Sequence, residues 1–187
     1  MKLVITIFLC LMMTSLWAEQ NKKFEFQDYK QAKEATDYIR FQMKSTKMGL
    51  VTSHFTGYAK KFEISYDLLN SNVKEGKVSL QIKDLDTDVK GRNKKMWDYC
   101  LQEGTYNQLQ VSFSEILLGE EKEVPAKISI RGKSYDILLK IKVTQDEKGL
   151  HVSGSSRIGL KELEIPDPSI LIARVNNQVD IEFQVTL

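Results

Sequence analysis

Cysteine and histidine are nearly absent from this chain, and the common enzyme signatures are missing. Its 187 residues hold two cysteines, Cys10 and Cys100, and two histidines, His54 and His151. A zinc site draws closely spaced ligands from such residues, and these four are scattered. Each histidine therefore reads as a surface or internally satisfied side chain. Ser53 and His54 are neighbours, but adjacent strand residues point to opposite faces and make no dyad. There is no G-x-S-x-G elbow, no G-x-x-x-x-G-K-[ST] loop and no G-x-G-x-x-G fingerprint. Asp84, Asp86 and Asp88 open like a calcium loop, but Val89 fills the sixth position and Lys95 the twelfth. The run reads instead as a solvated strand end in which Asp86 or Asp88 caps a following helix. Charge of one sign is also lacking, with Lys+Arg 27 against Asp+Glu 25. That balance gives no electrostatic case for nucleic acid. These absences argue against an enzyme and against a metal or other cofactor, and they favour a binding protein.

The opening stretch MKLVITIFLCLMMTSLWAEQ has a positive start at Lys2 and an apolar run from Leu3 to Met13. A polar break at Thr14 and Ser15 precedes the small residue Ala18. This reads as a signal peptide over residues 1–18, cut near Ala18–Glu19. The run is shorter than the roughly twenty apolar residues of a membrane-spanning helix. Phe8 and Leu9 are too bulky for the small residues that precede a lipid-modified cysteine. The expectation is a periplasmic or secreted protein with one domain over residues 19–187. Cleavage would remove Lys2 and Cys10, leaving 26 basic against 25 acidic residues. Cys100 alone would remain, so the mature chain has no intrachain disulfide and its stability must come from the core.

A long helical period is missing as well, and apolar residues alternate with polar ones instead. Ile39, Phe41 and Met43 share a face, as do Phe62, Ile64 and Tyr66 within the patterned stretch 55–69. Val78, Leu80 and Ile82 follow, then Leu109, Val111 and Phe113, then Ala126, Ile128 and Ile130. Ile137, Leu139, Ile141 and Val143 continue the pattern, and Ile181, Phe183, Val185 and Leu187 end it. Phe24–Gln27 reads as a short first strand, and QDYKQAKEAT as a loop or brief helix. The signals NSNVKEG, SEILLGEEKE, RGKS, QDEKG and PDPS mark turns between strands. About eight main strands result, an all-β class that two packed sheets or a closed antiparallel barrel would satisfy, the barrel without exposed edges. A barrel of that size is filled by its own side chains or holds one ligand, and alternation fits both. The expected ligand wall comprises Ile39, Phe41, Met43, Ile64, Leu80, Ile82, Val111, Phe113, Ile128, Ile130, Leu139, Ile141 and Phe183.

One segment breaks the strand pattern. GRNKKMWDYCLQEG, residues 91–104, puts Met96, Trp97, Cys100 and Leu101 on one face of a short helix. That helix either plugs the core or forms a lid over a ligand entrance. Cys100 reads as a small buried hydrophobe. Met43 and Met96 would adjust to ligand shape, and Trp97, the one tryptophan outside the leader, would report ligand entry. Of Arg92, Arg131 and Arg157, Arg92 is the preferred head-group contact, because it opens this segment and a guanidinium binds phosphate bidentately.

Four pieces in order carry a family resemblance. TDYIRFQMK with GLVTSHFTGYAKKF resembles an F-x-V strand leading to a V-x-G-x-F turn, through Val51, Gly57 and Phe62. DLDTDVKGRNKKMWDYCL resembles a D-T strand end entering an R-D/N-x-x-M/L helix, through Asp86, Thr87, Arg92, Asn93, Met96 and Leu101. VPAKISIRGKSYDILLKIKV resembles a G-x-L-T-I-R/H-G-x-T hairpin, through Ile128, Ser129, Ile130, Arg131, Gly132 and Ser134. IGLKELEIPDPSILIARVNNQVDIEFQV resembles a polar loop entering a last strand. Together they resemble the YceI-like family of secreted lipid-binding proteins, over roughly residues 37–187. The resemblance implies an extended, lipocalin-like antiparallel barrel holding a polyisoprenoid, an isoprenoid quinone or a similar amphiphilic lipid. No metal, nucleotide or catalytic role follows from it, and transient contact with a membrane is compatible with such a carrier. The rival expectation is a non-enzymatic secreted scaffold with a self-filled core that binds another protein. No feature of the sequence fixes an oligomeric state.

Overall fold

The computed structural model describes residues 19–69 and 72–187; the expected leader, its cleavage bond and Cys10 lie outside the described residues. The alternating segments become strands β1 (Gln20–Glu25), β2 (Tyr38–Lys47), β3 (Val51–Ala59), β4 (Lys61–Leu69), β5 (Asn72–Gln81) and β6 (Leu85–Asp86). They continue as β7 (Gln108–Ile116), β8 (Lys122–Ile130), β9 (Lys133–Asp146), β10 (Gly149–Gly159) and β11 (Ala173–Thr186). All belong to one curled antiparallel sheet of order β1-β4-β5-β7-β8-β9-β10-β11-β2-β3-β6. The strand count exceeds the sequence expectation, in part because β6 was not expected and in part because one expected run is two strands. The stretch 55–69 is one long extended run that changes partners at Lys60. β3 pairs with β2 and β6, whereas β4 pairs with β1 and β5. Lys60 bridges the change: its N–H donates to Asp84 O (2.8 Å) and its carbonyl accepts from Phe26 N (2.8 Å). Because β3, next to one end of the strand order, runs directly into β4, next to the other, the sheet wraps on itself.

The turn signals hold at Arg131–Gly132, whose φ values of 52° and 71° make the tight connection between β8 and β9. NSNVKEG behaves differently. From Asn72 it lies within β5, and Glu75 (φ 46°) and Gly76 face the single residue Tyr66 where the register shifts. The polar and glycine signal there marks a β-bulge rather than a loop. QDYKQAKEAT forms helix α1 (Tyr29–Glu34), started by Asp28 Oδ1 accepting from Gln31 N at 2.9 Å.

Helix α2 (Lys90–Lys94) continues as a π-helical turn over Lys95–Cys100. The expected aspartate cap is absent: Val89 occupies the cap position and makes no side-chain bond. Asp86 is not a solvated strand end either. Its Oδ1 accepts from Asp88 N (2.9 Å) and from Asn93 Nδ2 (2.7 Å), and Lys60 Nζ lies 3.6 Å from Oδ2. Asn93 Oδ1 in turn accepts from Thr87 N (2.9 Å) and Thr87 Oγ1 (2.6 Å). This buried network ties the helix to the end of β6, so the chain needs no cap at that point.

Candidate functional site

The strand faces that read as apolar converge on one hollow of about 740 Å³. That lies within the range of small-molecule cavities, about 300–1,000 Å³. Ile39, Phe41 and Met43 line it from β2, Ile64 from β4 and Leu80 from β5. Val111 and Phe113 line it from β7, Ile128 and Ile130 from β8, Leu139 and Ile141 from β9, and Phe183 from β11. Arg92 and Met96 reach it from the helix.

Two residues expected at the ligand, Ile82 of the wall and Trp97 of the helix, lie elsewhere. Ile82 falls in a 3₁₀ turn (Ile82–Asp84) that ends the alternation of β5, and it packs fully buried in the core outside the hollow. Trp97 also lies outside the lining, and its Nε1 donates to Leu85 O at 2.9 Å. A π-helical turn closes i to i+5, so positions i, i+4 and i+5 cluster on one face and the residue after the first falls to its edge. Met96, Cys100 and Leu101 still face the hollow, while Trp97 fastens the helix to β6.

Three cross-strand pairs account for the open lumen. Gly57 pairs with Phe41, Gly76 with Phe113 and Gly154 with Phe183. In each pair the ring lies against the glycine. A Cβ on Gly57 would sit 2.2 Å from Phe41 Cζ, and one on Gly76 would sit 2.0 Å from Phe113 Cζ. One on Gly154 would sit 2.5 Å from Phe183 Cζ. With no side chain opposite, each ring folds flat onto the wall instead of projecting into the centre. The sequence signal was a glycine inside a strand pattern, a mark of close approach.

The two ends of the hollow differ. Val143, Ile116, Val152 and Val185 are buried and close one end. The lining residues that are themselves exposed are Lys47, Val89, Gly91 and Ile170, and they mark the mouth. The mouth lies between the β2–β3 hairpin, helix α2 and the loop before β11. Lys95 Nζ donates to Ser169 O (2.6 Å), linking the helix to that loop. The loop contributes Leu160, Leu163, Ile165 and Ile170 to the lining, and β11 adds Val175 and Val179. The loop residues follow no strand period, so alternation did not reveal them.

Arg40 of β2 belongs to the lining but donates to Glu182, and the remaining charge in the lining is at the mouth. Arg92 Nε donates to Thr87 Oγ1 (3.0 Å) and Nη2 donates to Thr87 O (3.2 Å). Its guanidinium carbon lies 4.3 Å from the Phe55 ring centre. No carboxylate among the described residues forms an ion pair with it. Burial, partly countered by Tyr29 and Asp88, holds its pKa below the ordinary arginine value. Lys95 and Lys47 are further cations in the lining. Cys100 is buried, and burial pushes its thiol pKa up, so it is a protonated wall residue rather than a nucleophile. His54 is exposed on β3, and His151 Nε2 lies 2.9 Å from Asp146 Oδ1.

The YceI-like domain model matches residues 29–187. No curated protein matches the chain. Among solved structures, BcnA of Burkholderia cenocepacia superposes with a TM-score of 0.62 at 19% identity, over 78% of this chain and 94% of that one. A polyisoprenoid binding domain from Saccharophagus degradans gives 0.59 at 16% identity, over 81% and 93%. A Campylobacter jejuni YceI protein gives 0.55 at 16% identity, over 70% and 84%. At these identities the likeness is one of fold.

Proposed function

This chain belongs to the YceI-like family, and from that membership we propose that it is an exported, non-enzymatic carrier of one long amphiphilic isoprenoid or similar lipid. The hollow of about 740 Å³ carries the proposal. A self-filled scaffold would have no such space, because protein interiors otherwise pack to crystal density. The tail would lie among Phe41, Ile64, Val111, Phe113 and Ile141, and the head group would stay at the mouth beside Arg92. The Saccharophagus degradans neighbour, described as a polyisoprenoid binding domain, supports this class of ligand.

Energetics favour long chains. Each buried methylene contributes about 0.8 kcal/mol. A tail of about twenty carbons then contributes on the order of 16 kcal/mol. Association costs roughly 4–15 kcal/mol, so a tail of five carbons would not hold. Arg92, with no carboxylate partner, offers its charge to a head group with acceptor oxygens.

The test is displacement of a fluorescent apolar probe by a series of isoprenoid alcohols and their phosphates. The expected result is affinity rising steeply with chain length and saturating when the tail fills the barrel. Arg92→Leu should weaken the phosphates more than the alcohols. Failure of the longest members to displace the probe would sink the carrier reading.

A further inference from the structure

The largest exposed apolar side chains are concentrated at the mouth. Leu171, Leu50 and Met48 are 106%, 87% and 82% exposed, more than any other large hydrophobic residue described. Val51, Ile172 and Ile170 are also exposed. These six side chains come from two segments that are bonded together. Met48 N donates to Ile172 O at 2.9 Å, and Lys47 pairs with Ala173. Elsewhere Leu68, Leu117 and Leu138 are exposed singly, as is ordinary on a protein surface. A contiguous apolar patch is not ordinary.

The tip is a built turn rather than a loose end. Met48 (φ 49°) and Gly49 (φ 71°) form the left-handed pair of a tight hairpin, closed by Leu50 N donating to Lys47 O at 3.0 Å. Opposite it, Ile170 and Ala173 exchange two backbone bonds of 2.9 and 3.0 Å. The result is a firm apolar lip. Exposed Lys44, Lys47 and Arg174 flank it, and the acid Asp167 in the same loop is engaged by Ser169 N, from which its carboxylate accepts at 2.8 Å.

We infer that this lip docks on a lipid bilayer bearing anionic head groups. Three observations select that occupant. The lip borders the cavity opening, since Ile170 of the lip and the flanking Lys47 both belong to the lining. Apolar residues at a tip with cations behind them match the layering of an anionic membrane, acyl region under charged head groups. The lip also lies on the route a tail would follow from the bilayer into the barrel without crossing water. The inference rests on the carrier reading, yet docking and cargo binding are measured separately.

Purified protein is sedimented with vesicles of phosphatidylglycerol in phosphatidylethanolamine, and with vesicles of phosphatidylcholine alone. Lipid extracted from the same preparation is measured by mass spectrometry. The expected result is pelleting with the anionic vesicles, weakened by salt. Leu50→Asp combined with Leu171→Asp should lower the partition coefficient by about tenfold or more, while extracted lipid per protein stays unchanged. Both positions are exposed, so the fold should survive, and a circular dichroism melt checks it. Wild-type protein that stays in the supernatant while carrying lipid overturns docking and leaves the carrier reading intact. Equal pelleting of wild type and double variant shows that another surface binds. Self-association abolished by the double variant, without vesicle binding, would make the lip a contact between copies and overturn the inference. Wild-type protein with no extractable lipid and no probe binding removes the carrier reading on which the inference stands.

Discussion

The two ends of the barrel are made from the same strands and do opposite things. At one end Val143, Ile116, Val152 and Val185 are buried, and Arg40, the charged lining residue on that side, is already paired with Glu182 on β11. At the other, Arg92, Lys95 and Lys47 enter the lining among exposed Val89 and Ile170. Where alternation continues to the strand end, side chains meet and close the hollow. Where helix α2 and the loop before β11 interrupt it, the hollow stays open. Strand regularity builds the container, and the breaks in it build the entrance.

The largest effect that sharpens this contrast comes from a charge placed at each end. Val143→Asp buries a carboxylate without a partner and should cost about 4 kcal/mol or more. Ile170→Asp, at the exposed mouth, should change stability by less than about 0.5 kcal/mol. Urea midpoints of the two variants decide this, and similar losses would show that the ends do not differ.

Next comes the wall between them. Gly57→Ala places a Cβ against the Phe41 ring, with no other atom among its nearest contacts. The ring should swing into the lumen, costing about 1–3 kcal/mol and leaving the strands paired. Lipid recovered per folded molecule should fall. Full lipid loading at the same stability would show that the glycine does not hold the lumen open.

Smaller still is the helix attachment. Trp97→Phe removes the bond to Leu85 O and should cost about 1 kcal/mol, with cargo retention unchanged. Faster lipid release per folded molecule would restore Trp97 to a gating role.

The smallest effect is acid dependence at the base of α2. Burial raises the Asp86 pKa, but bonds from Asn93, from Asp88 N–H and from Lys60 outweigh it and leave the carboxyl below its ordinary value. Its stabilisation is therefore present above the unfolded-state pKa and lost as pH falls through the lower folded value. Asp86→Asn should cost about 1 kcal/mol at neutral pH, and the gap to wild type should close in acid. A pH-independent gap, followed by urea denaturation, would contradict this.

The barrel was legible in the sequence because β9 and its neighbours obey a two-residue period without interruption, and Ile137, Leu139, Ile141 and Val143 can face only one way. Whether the barrel is hollow was not legible. It depends on Gly57 meeting Phe41, Gly76 meeting Phe113 and Gly154 meeting Phe183, and cross-strand register is a property of the folded sheet. Met96 was found because it lies on the helix face that survives the π-helical turn, and Arg92 because it opens the segment with a guanidinium. Trp97 was misplaced because that face was drawn with an α-helical period. Ile82 was misplaced because a 3₁₀ turn begins at that residue. Leu171 and Ile172 went unread because the run ILIA after PDPS has no alternation to interpret.

The central claim is that the hollow is occupied by one lipid. Native mass spectrometry of the protein, purified without detergent from the cells that make it, tests this most directly. The account predicts a species heavier than the polypeptide by the mass of one long-chain lipid, released intact on activation and reduced in Gly57→Ala. A bare polypeptide that takes up no long-chain isoprenoid when offered one would contradict it.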